Sequence, residues 1–266
     1  MPIELACEAL GAGRPVVILH GLFGAGCNWS EVARSLATRY RVYLPDARNH
    51  GASPWSDNMS YPKMALDVKV LIERERLQRP MLVGHSMGGK TAMTLALSHP
   101  ELVGGVAVID IAPEHYAEQF STYVTAMRSL DLAAAAAAAR RQFREALASS
   151  LRPDISQNFL MQNLRRHNER FDWRLNLMAT AVCMPDLCAF PEALPHKCYE
   201  GPALFLSGEE SDYVRKESQA RILALFPEAE FGRIPDAGHW VHADQPQALL
   251  CGLHDWLSEV HATVTR

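Results

Sequence analysis

Met81-Leu82-Val83-Gly84-His85-Ser86-Met87-Gly88-Gly89 decides how this chain is read. Residues 81–83 form a short, continuously apolar run, as expected of a strand buried on both faces. Residues 87–97 have helical spacing and stop near His99-Pro100. Between the two, Gly84-His85-Ser86-Met87-Gly88 matches G-x-S-x-G, the pattern of a serine on a sharp strand-to-helix turn. The requirement is steric. Such a turn lifts the hydroxyl above the sheet, so the residues two before and two after it must leave room. Gly84 and Gly88 do so, and Gly89 extends the permissive surface. A helix starting at Met87 also aims free N–H groups at the carbonyl under attack.

Outward from this segment, short apolar runs at 16–19, 41–44, 103–109, 203–206 and 230–234 read as strands, with a further candidate at 3–9. Helical spacing occupies 29–38, 64–77, 217–225 and 245–260. This alternation predicts an α/β fold, a mostly parallel sheet with helices on both faces. The pattern breaks between 114 and 198, where no convincing strand is found. There, an alanine-rich stretch at 132–147 and segments at 157–163 and 171–178 read as helices. The expected organisation is a core of 1–113 and 201–266 with a helical cap, 114–200, inserted into it.

A serine hydroxyl needs a base to become a nucleophile. Of eleven histidines, His239 is the strongest candidate. It lies in Asp236-Ala237-Gly238-His239-Trp240, after the last predicted strand, where a loop emerges at the same sheet edge as the Ser86 turn. Gly238 lets the backbone turn, and Trp240 offers a wall for the imidazole. His242 is the spare. His85 reads as packing below the turn, and His20 as a brace for the loop it begins. The base in turn needs a carboxylate. Asp110, after strand 103–109, and Asp212, after strand 203–206, both fit, and the residues alone leave that choice open. Glu209 and Glu210 are less suitable because they fall in an exposed turn. Met87 supplies one oxyanion N–H, and the His20-Gly21-Leu22-Phe23 turn the second, with Leu22 preferred and Phe23 the near alternative.

Composition excludes several function classes. A net charge of -4 gives no general attraction to nucleic acid, and Arg140, Arg141 and Arg144 read as a solvated helix surface. No His, Cys or carboxylate grouping has metal-ligand spacing, so neither metal nor cofactor is expected. The six cysteines are scattered and read as reduced. Glu4 and Glu8 stand where a signal peptide needs an apolar block, and no run approaches the roughly 20 apolar residues of a membrane span. A soluble, cytoplasmic protein acting on a small molecule is the expectation, with no assembly state implied.

These residues give the chain a family likeness over almost its whole length. It resembles the α/β-hydrolase superfamily and, within it, the small carboxylesterases of the bacterial YbfF type and their mitochondrial abhydrolase relatives. Leu19-His20-Gly21-Leu22-Phe23-Gly24 is similar to the family's oxyanion segment, and Gly84 to Lys90 to its elbow with the subgroup's following lysine. The block Asp46-Ala47-Arg48-Asn49-His50-Gly51-Ala52-Ser53 is more distinctive. Residues 159–164 and 173–177 resemble subgroup patterns inside the cap. The resemblance implies that the aspartate after the earlier strand, Asp110, supports the base. The late loop departs from the pattern, with Glu210 before Ser211 and an Asp at 212, which keeps Asp212 open. The implied activity is serine carboxylesterase chemistry on small to medium uncharged acyl esters through an acyl-enzyme. Phe120, Tyr123, Met127, Phe159, Leu160, Met161, Leu164, Phe171 and Trp173 are an apolar supply for the acyl pocket or for packing of the cap. Lactone, thioester or carbon–carbon bond hydrolysis would use the same triad. A non-catalytic interaction module on this fold would show a misaligned Ser86–His239 pair.

Overall fold

A computed structural model describes residues 1–118, 120–130, 132, 141–142, 145, 157–167, 170–194 and 198–264. Its sheet has seven strands: β1 (Cys7–Gly11), β2 (Arg14–Leu19), β3 (Tyr40–Pro45), β4 (Met81–His85), β5 (Gly105–Ile109), β8 (Ala203–Gly208) and β9 (Ala229–Ile234). Their spatial order is β1-β3-β2-β4-β5-β8-β9. The pair β1·β3 is antiparallel and every other pair is parallel. Strands β4, β5 and β8 are buried at every position, which is why they read as unbroken apolar runs.

The period of two sorts each strand's side chains between two cores. Val17, Leu19, Leu82, Val106, Val108 and Phe205 face one way, against α2 (Tyr61–Arg74) and α3 (Met87–Ser98). Val16, Ile18, Val83, Ala107, Ile109 and Leu206 face the other. That second core is closed by α1 (Ser30–Leu36), through Val32, Ala33 and Leu36, and by the last helix, Pro246–Val264, through Leu249, Leu253 and Trp256.

Between β5 and β8 lie α4 (Ser121–Arg128), α5 (Gln157–Met161), a hairpin of β6 (Leu164–His167) and β7 (Arg170–Trp173), α6 (Leu177–Val182) and α7 (Met184–Cys188). The hairpin corrects the expectation of a strand-free insert, and β7 replaces the first half of the helix expected at 171–178. Each of these strands has four residues, too few for alternation to register against helical spacing. Pairing sets Leu164 opposite Trp173, and an Arg165–Asp172 ion pair of 3.8 Å lies across it. Most of the alanine-rich stretch at 132–147, with Arg140 and Arg144, lies outside the described residues. Arg141 is exposed and pairs with Glu145 one turn on.

Candidate active site

Register places the site. His85 of β4 pairs with Ile109 of β5, so the next residue in each chain, Ser86 and Asp110, emerges at the same sheet edge. The Ser86 N–H donates to Ile109 O at 3.1 Å, and the Asp110 N–H to Leu206 O at 2.8 Å. Both residues adopt left-handed backbone, with φ of 52° at Ser86 and 51° at Asp110. Serine carries this conformation at a cost of about 1–3 kcal/mol, while aspartate tolerates it more readily. The turn needs glycine on both sides: a Cβ on Gly84 would strike the backbone of Gly88, and one on Gly88 the carbonyls of Leu19 and His20.

His239 sits in the loop after β9, buried to 7% exposure, and joins the other two. Its Nδ1 lies 2.7 Å from Asp110 Oδ2 and its Nε2 3.1 Å from Ser86 Oγ. A carboxylate only accepts, so Nδ1 carries the proton and donates to Asp110. The lone pair on Nε2 is then left to accept from the Ser86 hydroxyl. The pair is aligned, contrary to what a non-catalytic module would show. Asp110 is fully buried and takes further bonds from the Gly208 N–H at 3.0 Å and from the Ser211 hydroxyl. Asp212 is exposed, and it is Asp110 that meets the imidazole; Glu209 and Glu210 are exposed as expected.

The surrounding histidines divide the work differently from the base. The His85 Nε2–H donates to the His239 carbonyl at 2.8 Å, tying the base's backbone to the nucleophile's strand. Burial, with His239 and His242 close by, holds the His85 pKa well below the usual range. His242, the expected spare, stacks on Trp29 with ring centroids 4.5 Å apart, and burial lowers its pKa to about 4. The face of His239 is covered chiefly by Tyr213, stacked at 3.9 Å, and Trp240 meets the ring edge-on at 5.7 Å. Tyr213 follows Ser211 by two residues in the late loop, and its contact with the imidazole is visible only in the fold.

The turn after β2 is braced from the Asp46-to-Ser53 block. His20 donates from Nδ1 to Gly21 O and accepts from the Ala47 N–H at 2.9 Å. His50 donates to Arg48 O and accepts the Phe23 N–H at 3.3 Å, and burial takes its pKa down to about 3. The Phe23 amide is therefore engaged. Leu22 and Met87 line the same cleft as Ser86, and the Met87 N–H, first in its helix, has no intrahelical acceptor. Residues from both motifs of the insert reach this region. Asn163 Nδ2 donates to Phe23 O at 2.8 Å, and Asn176 Nδ2 to Asn49 Oδ1 at 3.1 Å.

The cleft above Ser86 holds about 430 Å³, counting space open to solvent. Its walls are Tyr61, Lys90, Ile111, Tyr116, Leu187 and Cys188 together with Leu22, Met87, Ala117, Phe120 and Tyr213. Of the nine apolar residues singled out in the sequence, only Phe120 is among them. Tyr123, Met127 and Leu160 are instead buried in the packing of the insert on the core. No group of three His, Cys, Asp or Glu side chains that could hold a metal occurs among the described residues. No helix among them is long and apolar enough to cross a membrane.

A sheet of this order, with a serine on a strained elbow facing an imidazole–carboxylate pair, defines a class, and comparison with known proteins agrees. The family model described as alpha/beta hydrolase fold matches residues 14–246, and the chain belongs to that family. It is 41% identical over 254 residues to the sn-1-specific diacylglycerol lipase ABHD11 of Xenopus tropicalis, covering 93% of this chain and 77% of that protein. It is 32% identical over 246 residues to the esterase YbfF of Escherichia coli K12, covering 92% and 93%. The structure of a marine microorganism esterase matches with a TM-score of 0.91 at 34% identity, over 96% of this chain and 99% of that one. These relatives place the chain among the family's esterases and lipases.

Proposed function

We propose that the protein is a serine carboxylesterase that hydrolyses small to medium uncharged acyl esters through an acyl-enzyme. Ser86 is the nucleophile, His239 the general base and Asp110 the carboxylate that holds the base in its tautomer. The observation that carries this reading is the continuous line of contacts from Asp110 Oδ2 through both nitrogens of His239 to Ser86 Oγ, at 2.7 and 3.1 Å.

In the first step the Ser86 oxygen bonds to the ester carbonyl carbon as its proton passes to His239 Nε2. The N–H groups of Leu22 and Met87 receive the charge that grows on the carbonyl oxygen. The imidazolium, stabilised by Asp110, returns the proton to the departing alcohol. A water then attacks the acyl-enzyme with His239 as base, releasing the acid and restoring Ser86. Segment 114–200 acts as a cap that covers this edge and supplies part of the acyl pocket. The apolar lining of the cleft supports uncharged acyl groups.

Purified wild type and Ser86→Ala, compared on a fluorescent ester series, test the reading. The account expects Ser86→Ala to lose hydrolysis while keeping its circular dichroism spectrum. Wild-type rates in Ser86→Ala would refute the site, and a preference for highly charged acyl groups would refute the substrate class.

A further inference from the structure

Lys90 follows Ser86 by four residues on α3, roughly 6 Å along the helix axis. It is 1% exposed, yet it borders the cleft that holds the nucleophile. Lysine is almost never buried to this degree without a partner. Here the partners are two backbone carbonyls, Cys188 O at 2.9 Å and Ala189 O at 2.8 Å, at the C-terminal end of α7. Two ring faces complete the surroundings, Tyr116 at 4.8 Å and Tyr61 at 5.5 Å from Nζ. Burial lowers the Lys90 pKa to about 7. The two tyrosines are themselves fixed: Tyr61 donates to Leu187 O at 2.7 Å, and Tyr116 to Tyr213 O at 2.6 Å.

An amino group so placed fixes one wall of the cleft. It binds the segment carrying Leu187 and Cys188 to the helix that carries the nucleophile. We propose that Lys90 is the specificity-determining residue of the acyl site: it closes the cleft one helical turn from Ser86 and so restricts turnover to short acyl chains. The inference deepens the esterase reading and rests on it.

The test is kcat/KM across p-nitrophenyl esters from acetate to dodecanoate, for full-length wild type, Lys90→Met and Lys90→Arg. Wild type favours the short esters. Lys90→Met shifts the optimum toward longer chains, raising the long-to-short ratio about tenfold or more, chiefly through a lower KM for the long esters. Lys90→Arg, which keeps the charge and the donors, retains the wild-type order. An unchanged profile in Lys90→Met, or an equal fall at every chain length, overturns the proposal and leaves Lys90 as a purely structural strut. If Lys90→Met does not fold, as judged by its thermal melt, Lys90→Gln reads the same shift. Labelling by a small fluorophosphonate separates the two levels. Failure of wild type to label sinks the Ser86 site and this inference together, whereas normal labelling with an unaltered profile sinks the inference alone.

Discussion

Ser86, His239 and Asp110 are held by bonds that come from outside the three. The Asp110 carboxylate takes bonds from Gly208 N–H and Ser211 Oγ, which leaves its orientation toward His239 little freedom. Asp110→Asn would present an amide where the imidazole needs an acceptor, and kcat is expected to fall roughly 10³–10⁴-fold. Asp212→Asn, at an exposed position, is expected to leave kcat/KM unchanged. Steady-state kinetics on the two variants side by side decide which aspartate supports the base; the opposite ranking would refute the assignment. Ser211→Ala removes one hydrogen bond to a buried charge. Its expected cost is a fall in kcat of about tenfold, from a bond of about 1.5 kcal/mol, with KM little changed.

At the scale of elements, the elbow depends on how closely α3 approaches β2. Gly88→Ala puts a methyl against the Leu19 and His20 carbonyls, at an expected cost of about 1–3 kcal/mol. For a chain of this size each kcal/mol lowers Tm by about 2–4 °C. Turnover should fall further than stability explains, because the same shift moves the Ser86 hydroxyl. A melt and a rate measurement on one preparation check both. The strands of the core were legible because burial on both faces writes them as solid apolar runs, and the elbow because its glycines are sterically required. The hairpin β6–β7 was not, since four-residue strands carry no resolvable period. The apolar residues of the insert left acyl pocket and packing both open for a related reason. An apolar stripe on a helix says that a face is covered but not by what, and Tyr123, Met127 and Leu160 are covered by the core rather than by substrate. Tyr213 and Lys90 acquire their places only when segments far apart in sequence close around the cleft.

The whole molecule buries several neutral imidazoles. His50, with its pKa taken to about 3, and His242, at about 4, remain uncharged when folded but take up a proton near pH 6.5 when the chain unfolds. The unfolded state therefore binds more protons between about pH 6.5 and pH 4, so stability is fully present above that window and falls as pH drops through it. Each such group contributes up to about 1.4 kcal/mol per pH unit. Thermal melts from pH 7.5 to 4.5 should show Tm falling below pH 6.5, with a shallower slope in His242→Phe, which keeps a ring for Trp29 to stack on. A flat profile, or an identical slope in the variant, would contradict this.

Treating the protein with a fluorophosphonate and mapping the adduct by peptide mass spectrometry tests the central claim most directly. One phosphonyl group on the peptide containing Ser86, none on Ser86→Ala, and sharply slowed labelling of His239→Ala are the predicted results. An adduct on any other residue, or labelling of His239→Ala at the wild-type rate, would contradict the account.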